Sequence, residues 1–160
     1  MGVVGIRRIF RTCKRNEQFK QEAQTQQDQI NAELNKLQAE INADKAGLQT
    51  FKMGSDDYMT QARTILENQA SLQAKTNFYQ QQLAVKEQQW TKALYQDIER
   101  IVGEVAVQKG LGVVFAADEV DFDSPSVNDL LLSIRLKKLL YNGGCEDITD
   151  EVLARLDAGK

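Results

Sequence analysis

The stretch Ile30-Asn31-Ala32-Glu33-Leu34-Asn35-Lys36-Leu37-Gln38-Ala39-Glu40-Ile41 sets the architecture. Its apolar residues recur in steps of 4, 3 and 4, and the series continues to Leu48 and Phe51 with Asp44 at the one skipped position. Alternating steps of three and four keep one helical stripe facing a partner helix, so the stretch reads as the seam of a coiled coil. Between residues 7 and 52 there is no Pro and only one Gly, Gly47. A single long helix is expected there.

On the C-terminal side of this run, Met53-Gly54-Ser55-Asp56-Asp57 supplies a flexible glycine and then a helix N-cap, Ser55 or Asp56. A hairpin tip is expected near residues 53–57. A second Pro-free run follows to residue 109. Tyr58, Ala62, Ile65, Leu72, Tyr79, Leu83 and Trp90 form its stripe, with Gln69, Thr76 and Lys86 at the intervening positions. Beyond Trp90 the stripe continues as Leu94, Ile98, Ile101 and Val105, and successive steps of four mark a stutter where the seam changes partner or geometry. Arms of about 45 and 52 residues reach roughly 65 to 80 Å, too long for one globule. Polar seam residues leave such arms pliable.

Composition agrees. Of 18 Gln in 160 residues, 17 lie between Gln18 and Gln96, as in a solvated helical arm. The chain has no His, which removes imidazole-based nucleophile systems and imidazole metal sites. No apolar run approaches the length of a membrane-spanning helix, and the start Met1-Gly2-Val3-Val4-Gly5-Ile6 lacks the hydroxyl residue of a myristoylation signal; a soluble chain is expected. Net charge is −3, with residues 1–52 basic and residues 110–160 acidic. The cluster Arg7, Arg8, Arg11, Lys14, Arg15 has no interleaved aromatics, so it reads as a solvated face and no nucleic-acid partner is expected.

The two chain ends read differently from the arm. Val3, Val4 and Ile6 make a short apolar start, Leu111 to Ala117 is a β-rich run, and Leu136 to Tyr141 is a further strand candidate. Between the last two, Ser124 as N-cap with Pro125 near N1 opens a short helix from Leu130 to Ile134. Asp147 caps a closing helix whose buried face is Ile148, Val152, Leu153 and Leu156. An antiparallel hairpin returns its open ends to one place. Residues 1–6 and 110–160 are therefore expected to form a β-containing body, and residues 7–109 the arm. Three short strands leave two open edges in a monomer, so assembly into a barrel shared between chains is expected to close them. The residues assigned to that contact are Val3, Val4, Ile6, Val113, Val114, Phe115, Leu139, Leu140 and Tyr141.

At this point the sequence resembles the Skp (OmpH) family of periplasmic chaperones. Leu111-Gly112-Val113-Val114-Phe115-Ala116-Ala117 resembles the family's apolar strand, and Leu139-Leu140-Tyr141-Asn142 its second, Tyr-ending one. Asp147-Ile148-Thr149-Asp150-Glu151-Val152-Leu153 closely resembles its closing helix. The resemblance implies a homotrimer with a β-barrel body and helical tentacles enclosing a cavity, where unfolded outer-membrane proteins are held without ATP, in the periplasm. The segment from about Asp121 to Arg135 departs from the pattern as an insertion. Mild acidity departs from the basic character of familiar members, leaving membrane-surface contact open. No secretion signal precedes the first strand, which reads as a trimmed mature form with an added start. Cys13 and Cys145 allow one intrachain pair, or two separate thiols.

The function expected is an ATP-independent holdase whose contacts are many and weak. Phe51, Met53, Tyr58 and Met59 at the tip are the expected client contacts, although Phe51 and Tyr58 serve equally to close the seam. The alternative is a structural or adaptor coiled-coil protein. A prefoldin-like arrangement fits less well, because there the strands lie between the helices. No catalytic group, cofactor or metal is expected: Asp118, Glu119, Asp121 and Asp123 lack the spacing and glycine of a calcium loop.

Overall fold

The structure is a computed structural model that describes residues 1–118, 120, 122 and 126–159. The elements in chain order are β1 (Gly2–Val4), α1 (Ile6–Thr12), α2 (Lys14–Leu48), α3 (Asp56–Gln108), β2 (Val114–Ala116), α4 (Val127–Leu136), β3 (Glu146–Asp147) and α5 (Thr149–Asp157). The chain divides into two compact units, one of Met1–Phe19 with Trp90–Lys160 and one of Lys20–Gln89. The protein is mainly helical with one small sheet.

In the first unit, β1 lies between β2 and β3 and pairs with each in parallel. Val3 faces Phe115 on one side and Asp147 on the other. Parallel strands cannot be joined by a tight turn and need a long crossover. The arm serves as that crossover between β1 and β2, and the segment carrying α4 serves between β2 and β3. All three residues of β1 are buried, as expected for a strand covered on both faces. The core joins Val4, Ile9, Cys13, Leu94, Ile98, Ile101, Val105, Ile148, Val152 and Leu156. The stripe beyond Trp90 does change partner, leaving the seam for this core.

Three details of this unit correct the sequence reading. The first is the strand expected from Leu136 to Tyr141. Leu136 instead ends α4, residues 137–141 carry no ladder, and the third strand is Glu146–Asp147. The reason is the backbone: Glu146 N–H donates to Met1 O at 3.2 Å and Ile148 N–H to Val3 O at 3.0 Å, so the edge of β1 is taken by residues with no apolar signal. Gly144, at φ +85°, makes the turn that delivers them.

The second correction concerns the first helix, which is broken at Cys13. This residue is extended, with φ −68° and ψ 143°, and its side chain is buried. The break buries Ile9 and Cys13 together, and Asp157 Oδ1 accepts the Lys14 N–H at 2.9 Å where a continuous helix would have supplied a carbonyl. Thirdly, α4 opens after Ser126 and runs longer than Leu130 to Ile134. Ser124 and Pro125, expected to open it, lie outside the described residues.

Helix α5 keeps its expected buried face, but its N-cap is Ile148, and the expected cap Asp147 stands one residue earlier, at the end of β3. Asp147 Oδ1 accepts the Thr149 N–H at 2.9 Å and also the Thr149 hydroxyl, whose oxygen in turn accepts the Gly5 N–H at 2.9 Å. Ile148, Val152 and Leu156 are buried, and Leu153 is half-buried.

The second unit holds parts of α2 and α3 as an antiparallel hairpin. Lys86 Nζ donates to Gln26 Oε1 at 2.9 Å, and Lys75 Nζ donates to Glu33 Oε1 at 2.7 Å, so the chain directions oppose. Its buried apolar residues, among those described, are Ile30, Ile41 and Ile65. Elsewhere the seam is half-exposed, and Asn68 is more covered than the expected Gln69. Short polar pairs four residues apart, such as Gln27 with Asn31 and Gln73 with Asn77, support the exposed faces. Residues 49–55 connect the helices. Gly54 takes φ +82°, and Ser55 Oγ accepts the Tyr58 N–H at 3.2 Å as the expected cap.

Candidate functional surfaces

Two sets of side chains stand out as surfaces. The first lies around the sheet. Because β1 is central, Val3 and Val4 are consumed by the chain's own core, and Ile6, in α1, packs partly buried against it. The outer edge of β2 is different. Val113 and Phe115 are exposed, Phe115 at 43%, while Val114 is half-buried toward the core. Leu140 and Tyr141 are 85% and 84% exposed, and Leu139 is half-buried. The structure thus places Val3, Val114 and Phe115 in one ladder and leaves residues 139–141 without a partner strand.

The second surface is on the hairpin. Met53 is 81% exposed, Met59 and Phe51 are exposed, and Tyr58 is half-buried. Leu66, Phe78 and Val85 on α3 are exposed as well, and the sequence reading missed them. A helical-wheel search for apolar residues off the 4, 3 stripe would have found them: Met59 and Leu66 are seven apart, as are Phe78 and Val85.

The electrostatics of the hairpin centre on Glu33. Its carboxylate accepts from both Lys75 Nζ and the Tyr79 hydroxyl at 2.7 Å. These bonds, with Lys75 contributing most, hold the Glu33 carboxyl below the usual glutamate range and raise Lys75 and Tyr79 above theirs. In the first unit, Lys109 bridges Glu146 at 2.7 Å and Glu151 at 3.1 Å, tying β3 and α5 to the end of α3. Arg15 holds Asp97 at 2.6 Å and lowers its carboxyl. Phe19 stacks on Trp90 at 4.4 Å between ring centres, and Phe10 meets the same indole edge-on at 6.3 Å.

A cavity of about 670 Å³ in the first unit is lined by Arg7, Arg8, Arg11, Asp118 and Asp147 among others. Of these, the Arg8 side chain bonds Asp150 at 2.6 Å, and the Asp118 carboxylate accepts the backbone N–H of Arg7 at 2.7 Å. Of the acidic cluster read in the sequence, Glu119, Asp121 and Asp123 lie outside the described residues. Among the described residues, no group of three or more His, Cys, Asp or Glu is placed to hold a metal ion. Cys13 and Cys145 are free thiols, and no described helix is long and apolar enough to cross a membrane.

A family model described as outer membrane protein (OmpH-like) matches residues 1–156. The fold is also similar to the crystal structure of a candidate outer membrane chaperone (OmpH-like) from Caulobacter crescentus CB15. That likeness has a TM-score of 0.76 at 21% identity and covers 99% of this chain and 84% of the other. No curated protein matches.

Proposed function

The chain belongs to the OmpH-like family of outer membrane proteins, and from that premise we propose that it is an ATP-independent holdase acting in the periplasm. It assembles as a homotrimer, holds unfolded outer-membrane proteins between its helical arms, and keeps them from aggregating. The observation that carries this reading is the set of large apolar side chains on the hairpin that the chain itself does not cover: Met53, Met59, Leu66, Phe78 and Val85. Separate, shallow contacts of this kind bind many sequences weakly, and three arms together raise the avidity without a deep pocket. Phe51 and Tyr58 extend that surface at the tip.

Residues 1–6 and 110–160 supply the assembly body in this reading, and residues 7–109 the arm with its coiled-coil seam. The free edge of β2, with exposed Val113 and Phe115, and the unladdered Leu139, Leu140 and Tyr141 are the complementary halves of a contact between copies. Pairing them closes the open edges into a shared barrel.

Light scattering and an aggregation assay with an unfolded outer-membrane protein test the proposal. A mass of about three times 18.0 kDa is expected, and Phe115→Asp should shift it to one chain's mass with the helical signal retained. Joining Ile41 to Leu66 through a short Gly-containing turn should leave the mass trimeric but weaken protection of large clients. ATP should change nothing. Absence of protection by the wild-type chain would favour an adaptor role instead.

A further inference from the structure

Helix α4 is turned inside out with respect to its own chain. Its covered side is Leu130, Ser133 and Lys137, spaced i, i+3 and i+7, with Ser133 the one buried residue and its hydroxyl donating to Leu130 O at 2.8 Å. Val127, Leu131, Leu132, Ile134 and Leu136 are all exposed, Val127 at 73%. A helix serving only its own fold turns such residues inward. Five large apolar side chains outward in a ten-residue helix require an apolar medium beyond the chain.

The charges select the medium. Arg135 and Lys138 are exposed and Lys137 half-buried, whereas Asp129 is the one carboxylate between residues 126 and 141. The segment is therefore cationic in a chain of net charge −3. The core of a protein interface is depleted in Lys. Apolar side chains flanked by Lys and Arg instead suit the headgroup boundary of an anionic bilayer, where the apolar face enters the acyl region and the cations meet phosphates.

We propose that α4 docks flat on an anionic lipid surface, inserting Val127, Leu131 and Ile134 and setting Arg135 and Lys138 against lipid phosphates. The contact belongs to this inserted helix and does not depend on the holdase reading. A helix of three turns gives weak, reversible attachment.

Flotation of the full-length protein with vesicles tests it. Binding is expected to phosphatidylglycerol–phosphatidylethanolamine vesicles and not to phosphatidylcholine alone. Arg135→Glu with Lys138→Glu should lower it by roughly 25-fold or more, from about fivefold per cation, and Leu131→Glu with Ile134→Glu should abolish it. Both double variants should keep the wild-type mass, and their protection of a client without lipid should equal that of the wild type. Failure of the wild-type protein to float with anionic vesicles overturns the proposal, as does undiminished binding by both variants. A lower mass for Leu131→Glu with Ile134→Glu would mark the stripe as a contact between copies and overturn it equally.

Discussion

Helix α3 has two lives, one around Leu72 to Leu83 and one from Leu94 to Val105. Both stretches place apolar residues in steps of three and four, and both are continuously helical. Yet Leu94, Ile98, Ile101 and Val105 are wholly buried, while Leu72, Tyr79 and Leu83 are only half-covered. The difference lies in what faces them. The later stretch meets Ile9, Cys13 and the apolar face of α5, whereas the earlier one meets a helix rich in Gln, Asn and Glu. Periodicity sets which side of a helix is covered, and the partner's chemistry sets how tightly.

The largest expected effect breaks the tight region. Ile101→Ala should cost about 3 to 5 kcal/mol, because its cavity is walled by several elements and cannot collapse, as measured by chemical denaturation. Ile41→Ala removes the same atoms from an equally buried site in the two-helix hairpin. There the helices can close in, so about 2 kcal/mol is expected. Equal costs for the two would erase the contrast.

A smaller effect probes the hairpin tip. Gly54 takes a left-handed conformation, and a Cβ there would meet nothing within 4 Å, so Gly54→Ala tests the backbone alone. A loss of about 1 kcal/mol is expected, seen as a lower melting temperature of the arm's helical signal. No loss would mean the tip rearranges freely.

The smallest effect concerns Glu33. Its folded carboxyl titrates below the ordinary value, so its bonds to Lys75 and Tyr79 are fully present above the usual glutamate range and are lost as pH falls through the lowered value. NMR titration of that carboxyl should show the low midpoint, and Lys75→Ala should return it toward normal. Exposed pairs contribute little, so global stability should barely respond to Glu33→Gln. A large response would show that the arm depends on its polar bridges and not on its sparse apolar seam.

The hairpin was legible because its signal is local: the steps from Ile30 to Ile41, then Gly54 and Ser55, require no knowledge of anything distant. The start of α5 was legible to within one residue for the same reason: Asp147, expected as its cap, bonds the Thr149 N–H from the position before the Ile148 cap. The third strand was not. Leu136 to Tyr141 has strand composition, but the place beside β1 goes to Glu146 and Asp147, whose claim rests on backbone bonds to Met1 and Val3. The break at Cys13 also carries no Gly or Pro, and follows from packing against α5. Among surface residues, the tip was readable from position, while Leu66, Phe78 and Val85 were hidden by attention to a single stripe.

The central place of β1 has a consequence for how the molecule comes into being. Gly2 pairs with Val114 and Glu146, so the first strand cannot form until residues more than a hundred positions further along the chain have come back to it. Such non-local pairing is intrinsically slow, since the loop must close before the contact rewards it. The hairpin shortens the wait: once α2 and α3 zip, residues 19 and 90 are already stacked and the effective loop is short. Helical signal and Trp90 fluorescence should therefore recover together in refolding, and protection of the Ala117 and Ile148 amides, which bond the Val4 and Val3 carbonyls, should come last in pulsed hydrogen exchange. Protection of those two amides as early as the helical signal would show that the sheet does not wait for the arm.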